Sequence, residues 1–139
     1  MARTTFNGPV TSQNGFIDGH QVSTANAINS TATATAAQVA SGYITSTSAA
    51  ATTITLPTGT ALGSAIGATK GTVLDLFIDN TAGANTVTIA VNTNAILSTA
   101  ATDTAGSFGD LTVASGATGL ARYTIMFSSA TAYVFTRTA

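Results

Sequence analysis

Few residues in this chain have side chains able to do chemistry. One histidine, His20, stands in the stretch DGHQ, and cysteine is absent. Ser–His–Asp catalysis needs an imidazole set against an activated serine, and zinc usually asks for a second histidine or a cysteine. His20 therefore reads as an exposed turn residue. Lys70, in GSAIGATKG, invites comparison with a phosphate-binding loop. That loop needs glycine directly before the lysine and Ser or Thr after it, whereas Thr69 precedes Lys70 and Gly71 follows it. Asp75, Asp79 and Asn80 carry oxygen ligands suited to calcium, but two residues four apart on a strand lie about 13 Å from each other. Asp103 and Asp110 bracket a glycine-containing loop and read as solvated turn acids. Paired carboxylates for glycoside hydrolysis would need a cleft that raises one pKa, and nothing in the pattern suggests one. The expectation is a protein that is not an enzyme, with no catalytic, metal or cofactor site and no cofactor.

Charge narrows the partners. Charged residues are 6% of the 139, with five acids, four bases and a formal net charge of -1, against roughly 25% in an average soluble domain. The bases Arg3, Lys70, Arg122 and Arg137 are dispersed. Neither a nucleic-acid footprint nor a polybasic membrane patch is present, so neither partner is expected. The N-terminal text MARTTFNGPVTSQNGF has no apolar run of the secretory kind. Asn29-Ser30-Thr31 is a glycosylation sequon in form, without meaning in the absence of export. Ala-rich runs such as TATATAAQVA are too broken by Thr and Gln to span a bilayer. The TATAT of 31–35 suggests the threonine arrays of ice-binding surfaces, but it occurs once, without a repeat period.

The surrounding elements are mostly strands. Residues 1–38 carry isolated apolar residues between turn signals and then a small, polar stretch, and they read as an extended N-terminal arm and linker. From residue 39 the text changes. VASGYITS and TTITLP are short β-prone runs, the second closed by Pro57. Gly59, Gly63, Gly67 and Gly71 recur every fourth residue, and their poor helix propensity favours a loop or a single turn. In GTVLDLFID, Leu74, Leu76 and Ile78 face one side, and Val73, Asp75, Phe77 and Asp79 the other. TVTIAV returns after a polar turn at 80–85, which predicts a hairpin. NAILS and DLTVA are further short strands. GLARYTIMFS and TAYVFTR form the clearest hairpin: Ala121, Tyr123, Ile125 and Phe127 share a face of the first strand, and Tyr133, Phe135 and Arg137 share one of the second. The fold expected is all-β, an antiparallel β-sandwich or jelly-roll-like domain over 39–139 with an extended arm over 1–38. Leu74, Leu76, Ile78, Tyr123, Ile125, Phe127, Tyr133 and Phe135 are the residues expected to form the core strands and oligomer contacts.

The order of TTITLPTGTALGSAIGATKGTVLDLFIDNTAGANTVTIAV, closing with ARYTIMFSSATAYVFTR, resembles small β-sheet structural proteins of tailed bacteriophages. The shared plan is a strand, Leu-Pro, a loop, a strand, Asn-Thr-x-Gly-x-Asn, a strand and a final aromatic hairpin, and it covers residues 52–91 and 119–137. Within that group a short chain with an N-terminal arm is similar to capsid decoration, or cement, proteins. That resemblance implies a homotrimer on the outer capsid surface of an icosahedral virion, made in the host cytoplasm, with the major capsid protein as partner. It also implies that an arm containing Arg3, Thr4, Thr5, Phe6, Val10 and Phe16 contacts the capsid. A free monomer keeps about 25–35% charged residues on its surface, so sparse charge suits a chain covered by neighbours. Two other readings are a receptor-recognition module of a phage fibre or tail, with Tyr43, Tyr123 and Tyr133 as glycan-stacking candidates, and a self-polymerising pilus-like or sheath subunit.

Overall fold

The computed structural model describes residues 26–98 and 107–139. In chain order the strands are β1 (Ala32–Thr33), β2 (Tyr43–Thr45), β3 (Thr52–Thr55), β4 (Val73–Asp79), β5 (Val87–Ala90), β6 (Ala95–Leu97), β7 (Thr112–Val113), β8 (Leu120–Ser129) and β9 (Ala132–Arg137). Helix α1 (Ala36–Ala40) precedes β2, and helix α2 (Gly59–Ile66) precedes β4. The strands form two sheets, one ordered β1-β3-β5-β7 and the other β2-β4-β8-β9-β6. As far as β8 the chain changes sheet at every connection. The C-terminal hairpin β8–β9 then enters the middle of the five-stranded sheet, between β4 and β6.

Alternation explains which side chains are buried. Ile44, Leu76, Ile78, Tyr123, Ile125, Phe127, Tyr133 and Phe135 from one sheet, and Ile54, Val87, Ile89 and Val113 from the other, belong to a single buried cluster. The rings of Tyr123 and Phe135 meet edge-on at 6.1 Å, and those of Phe127 and Tyr133 tilt together at 5.3 Å, spacings at which aromatic pairs add stability beyond their area. Tyr133 also donates to the carbonyl of Pro57 at 2.8 Å, so this buried hydroxyl is satisfied and ties β9 to the segment before α2.

Four expectations are corrected. The sheets are mixed, not antiparallel: β1–β3, β2–β4, β3–β5 and β6–β9 run parallel, and β4–β8, β8–β9 and β5–β7 antiparallel. The segments Val73–Asp79 and Val87–Ala90 are not a hairpin, because β4 lies in the five-stranded sheet and β5 in the four-stranded one. A period of two says which face is buried but not which strand lies alongside. The turn between them passes from one layer to the other.

The glycine-rich segment is a two-turn helix rather than a loop. Thr58 caps it by accepting from the Ala61 N–H at 3.2 Å, and Gly67 ends it in the left-handed region at φ 63°, where an L side chain would be strained. Gly63 is buried, and a Cβ there would collide with the Ala130 carbonyl in the β8–β9 turn. Close packing against that hairpin outweighs the weak propensity of glycine.

The folded unit also begins before residue 39. Ala27 bridges to Thr45, Ile28 and Ala34 are buried, and β1 is a member of the four-stranded sheet. Helix α1 starts with a capping box in which Thr35 and Gln38 exchange side-chain-to-backbone hydrogen bonds, which satisfies two N–H groups otherwise unpaired at a helix start. The small polar residues of 26–38 therefore form capped and paired structure, not a linker.

Candidate functional site

The outward positions of the five-stranded sheet form a regular surface. Register aligns Val73, Met126, Val134 and Ile96 in one row across β4, β8, β9 and β6. Two residues further along the strands, Asp75, Thr124 and Thr136 form the next row. Tyr43, Phe77 and Arg122 follow, then Thr45, Asp79 and Leu120. Val73 is 58% exposed, Leu120 52%, Ile96 49%, Met126 48% and Phe77 36%. Neighbouring strands stand about 4.8 Å apart, so Val73, Met126, Val134 and Ile96 make one apolar row, and Tyr43, Phe77 and Leu120 stand beyond it among charged and threonine side chains.

The opposite sheet turns a different surface outward. Thr53 pairs with Thr88 and Thr88 with Thr112, while Thr33 pairs with Thr55. Thr31 lies beside this row, its Oγ1 accepting from the Thr53 N–H at 3.1 Å. The threonines of TATAT are thus extended sideways by residues far away in sequence, an arrangement that a search for a linear repeat does not find. The two outer faces differ, one small and hydroxylated, the other carrying large apolar side chains between charged and hydroxylated ones.

Each charge near the apolar face is held by hydroxyls. Asp79 accepts from the Thr81 hydroxyl at 2.6 Å, the Thr81 N–H at 3.0 Å and the Tyr43 hydroxyl at 2.5 Å. Those bonds, led by the Thr81 hydroxyl, keep its carboxyl below the usual carboxylate range. The bond to Asp79, with burial and the carboxylate charge behind it, raises Tyr43 in turn. Asp75 accepts from the Thr124 hydroxyl at 2.7 Å, and Arg122 Nε donates to the Thr138 hydroxyl at 2.9 Å.

Two polar clusters hold the interior. Asp110 accepts from the Thr112 N–H at 2.8 Å and hydroxyl at 2.6 Å, and it pairs with Arg137 Nη1 at 3.0 Å. Arg137 also donates to the Thr112 carbonyl at 2.8 Å, and Tyr123 donates to the Asp110 carbonyl at 2.9 Å. These bonds join the end of β9 to β7 in the other sheet. A cleft of about 560 Å³ lined by Ser107, Phe108, Arg137, Thr138 and Ala139 opens beside this clasp, and its cation is already committed to Asp110. Asn80, fully buried, donates through Nδ2 to the carbonyls of Asn85, Ala114 and Val113 at 2.8, 3.0 and 3.2 Å.

Leu76, Ile78, Tyr123, Ile125, Phe127, Tyr133 and Phe135 are buried inside the chain's own core, with Leu74 partly buried against it. A subunit contact must use other residues; of those on the outer face, sequence reasoning placed Val73, Asp75, Phe77 and Asp79 on the side away from the core but did not single out Ile96, Leu120, Met126 or Val134. Tyr123 and Tyr133 are also removed as glycan-stacking candidates by their burial, while Tyr43 remains at the surface. Lys70 lies in an exposed turn after α2. Among the described residues no three His, Cys, Asp or Glu side chains gather as a metal site would require. Arg3, Thr4, Thr5, Phe6, Val10, Phe16, His20 and Asp103 lie outside the described residues.

Stability should fall at both extremes of pH. Asp79, lowered in the folded state, contributes stability that is present above the unfolded carboxyl value of about 3.9 and lost as the pH drops through its folded value. Burial pushes the Tyr133 hydroxyl upward. Its contribution is complete below the unfolded value of about 10 and is lost as the pH rises toward the folded one. Urea midpoints measured from pH 2 to 11 check both limbs. Asp79→Asn should flatten the acid limb and Tyr133→Phe the alkaline one; unchanged limbs would remove these groups as the cause.

No family model, curated protein or solved structure matches this chain.

Proposed function

We propose that this chain is a virion structural protein of the capsid decoration kind. It binds the outside of an icosahedral head as an oligomer and fastens neighbouring capsomers, with the major capsid protein and its own copies as partners. Its two sheets serve as a rigid sandwich-like body, and the segment containing Arg3, Thr4, Thr5, Phe6, Val10 and Phe16 makes the shell contact. The supporting observation is the placement of exposed apolar side chains. Among the described residues, Val73, Phe77, Ile96, Leu120 and Met126 share one sheet face, while Val91 and Phe108 are the other large exposed hydrophobics. Large apolar side chains exposed together on one face, rimmed by polar groups, mark contact with another macromolecule. A chain with 6% charged residues has little else to keep such a face in water. Mechanical fastening also asks nothing of catalytic groups, and many weak contacts repeated over a shell suffice.

The test uses heads and tails separated from virus particles propagated with the chain's own host, probed with an antibody to the recombinant protein. The expected result is a fixed stoichiometry on heads. Recombinant full-length protein should rebind heads stripped of it, and protein lacking residues 1–17 should not, while keeping its oligomeric mass. Absence from heads overturns the proposal, and presence on tails alone supports the receptor-recognition reading instead.

A further inference from the structure

We infer that the outer face of the five-stranded sheet is a two-fold contact between copies of this chain, centred on Asp75, Phe77, Arg122 and Thr124. Asp75 lies directly across from Thr124, and Phe77 from Arg122. The four therefore mark the corners of a rectangle about 4.8 Å wide and 6.7 Å long, given ordinary strand spacing and rise. The acid and the base occupy one diagonal, Phe77 and Thr124 the other. A two-fold axis lying in the face along the Phe77–Thr124 diagonal brings Asp75 of each copy over Arg122 of the other. It also brings Phe77 against Phe77. The pairing is isologous, in which one patch serves both partners and each unlike contact is made twice.

Three features select a second copy over another occupant. The first is charge. The ion pair recorded among the described residues is Asp110–Arg137, so Asp75 and Arg122, each steadied by a threonine hydroxyl, have opposite charges to offer on the same face. A surface carrying both signs next to each other complements itself, and a net charge of -1 adds little repulsion between copies. The second is apolar content, since Val73, Met126 and Leu120 surround the rectangle and are about half exposed. The third is area. Five strands at about 4.8 Å, the longer ones about seven residues at ~3.3 Å, outline roughly 500 Å² per copy. Two copies thus bury at most about 1,000 Å², the lower bound for a specific contact and the size of a weak, reversible pairing.

This inference rests on the self-association in the proposed function and names its surface, pairing copies two at a time where the phage resemblance implies a three-fold ring. Asp75→Arg makes the face doubly positive and Arg122→Asp makes it doubly negative. Each variant alone should self-associate about tenfold or more weakly than the parent, because every copy then meets its own charge. An equimolar mixture should recover the parental assembly, since unlike faces meet twice. Sedimentation velocity of the full chain across a concentration series reads all three samples, and thermal melts confirm that each variant is folded. Met126→Lys, at the edge of the patch, is a second disrupting variant. A parent that stays monomeric at high concentration, single variants that assemble like the parent, or a mixture that remains dissociated would each overturn the contact. Head binding is measured on the same samples. Loss of pairing with head binding retained separates this surface from the shell-binding proposal, and a parent that pairs but does not bind heads counts against that proposal alone.

Discussion

Replacing Asn80 with aspartate is expected to cost about 3–5 kcal/mol of stability at neutral pH, as breaking a buried polar arrangement and leaving a charge uncompensated does. The substitution changes almost no volume. The amide nitrogen of Asn80 serves three carbonyls, at Asn85, Val113 and Ala114, and thereby joins the β4–β5 connection to the end of β7. Its Oδ1 is buried without a hydrogen-bond partner, so the nitrogen alone fixes the orientation of the amide. Turning the amide over would aim oxygen at oxygen. An ionised aspartate can only accept, and it would face the three carbonyls with a charge and no proton.

The pH dependence identifies the cause. Burial against carbonyls raises the introduced carboxyl above its unfolded value of about 3.9. The deficit relative to the parent is therefore smallest at or below that value and grows as the pH rises through the folded one. Urea unfolding of parent and variant at pH 4 and pH 7 should show the gap narrowing in acid. Asn80→Leu, which cannot titrate, should show the same gap at both. A constant gap for the aspartate variant would mean that packing, not the missing donor, sets the cost.

Gly63→Ala is expected to destabilise by about 2–4 kcal/mol, opposite in sign to what helix propensity alone predicts. In an exposed helix interior, alanine is better than glycine by about 1 kcal/mol. Gly63 is instead buried against the β8–β9 turn, and a Cβ there would collide with the backbone oxygen of Ala130 and press on the ring of Phe127. Backbone cannot move aside as a flexible side chain does, so α2 must lift from the hairpin and uncover Leu62, which is fully buried. Overpacking alone costs about 1–3 kcal/mol, and the lost burial adds to it. Ser64→Ala, one residue along and exposed, should be neutral or slightly stabilising. Thermal unfolding of the pair decides between packing and propensity, and stabilisation by both substitutions would show that α2 does not depend on this contact.

These two residues mark where sequence reading stops. The C-terminal hairpin is legible because aromatic and β-branched residues alternate over two adjacent runs with a short turn between them, and β8 and β9 do pair antiparallel. The parity of β4 is legible too: Leu76 and Ile78 point inward, and Asp75 and Phe77 outward. What parity does not carry is the identity of the neighbouring strand. Thus Val73–Asp79 and Val87–Ala90, adjacent in the chain, end in different sheets. Asn80 looks like any turn asparagine until the loop on either side brings three carbonyls to it. The glycines of α2 look like helix breakers until a hairpin from 70 residues further on packs against them.

The outer face was hidden for a related reason. Val73, Met126, Val134 and Ile96 come from four strands and form a row only through cross-strand register. Each alone is one apolar residue with nothing in its own strand to pair it with the others. The signal that could have found them is an apolar residue at an outward position of a strand whose inward positions are already apolar, as Phe77 is in β4 and Met126 in β8. Hydroxyls mark the threonine row on the other sheet in the same way, one strand at a time.

The place of β8 and β9 within their sheet has a consequence for biosynthesis. A ribosome makes residues 120–137 after all the other strands of the two sheets, yet β8 and β9 fill the gap between β4 and β6. Until they emerge, β4 and β6 each lack the neighbour they will pair with, and the aromatic half of the interior is missing. The nascent chain must therefore hold its earlier strands unfinished until this hairpin emerges, and a chain stopped short of it has exposed edges open to aggregation. Arrival of β8 and β9, not of the strands before them, commits this domain to its shape.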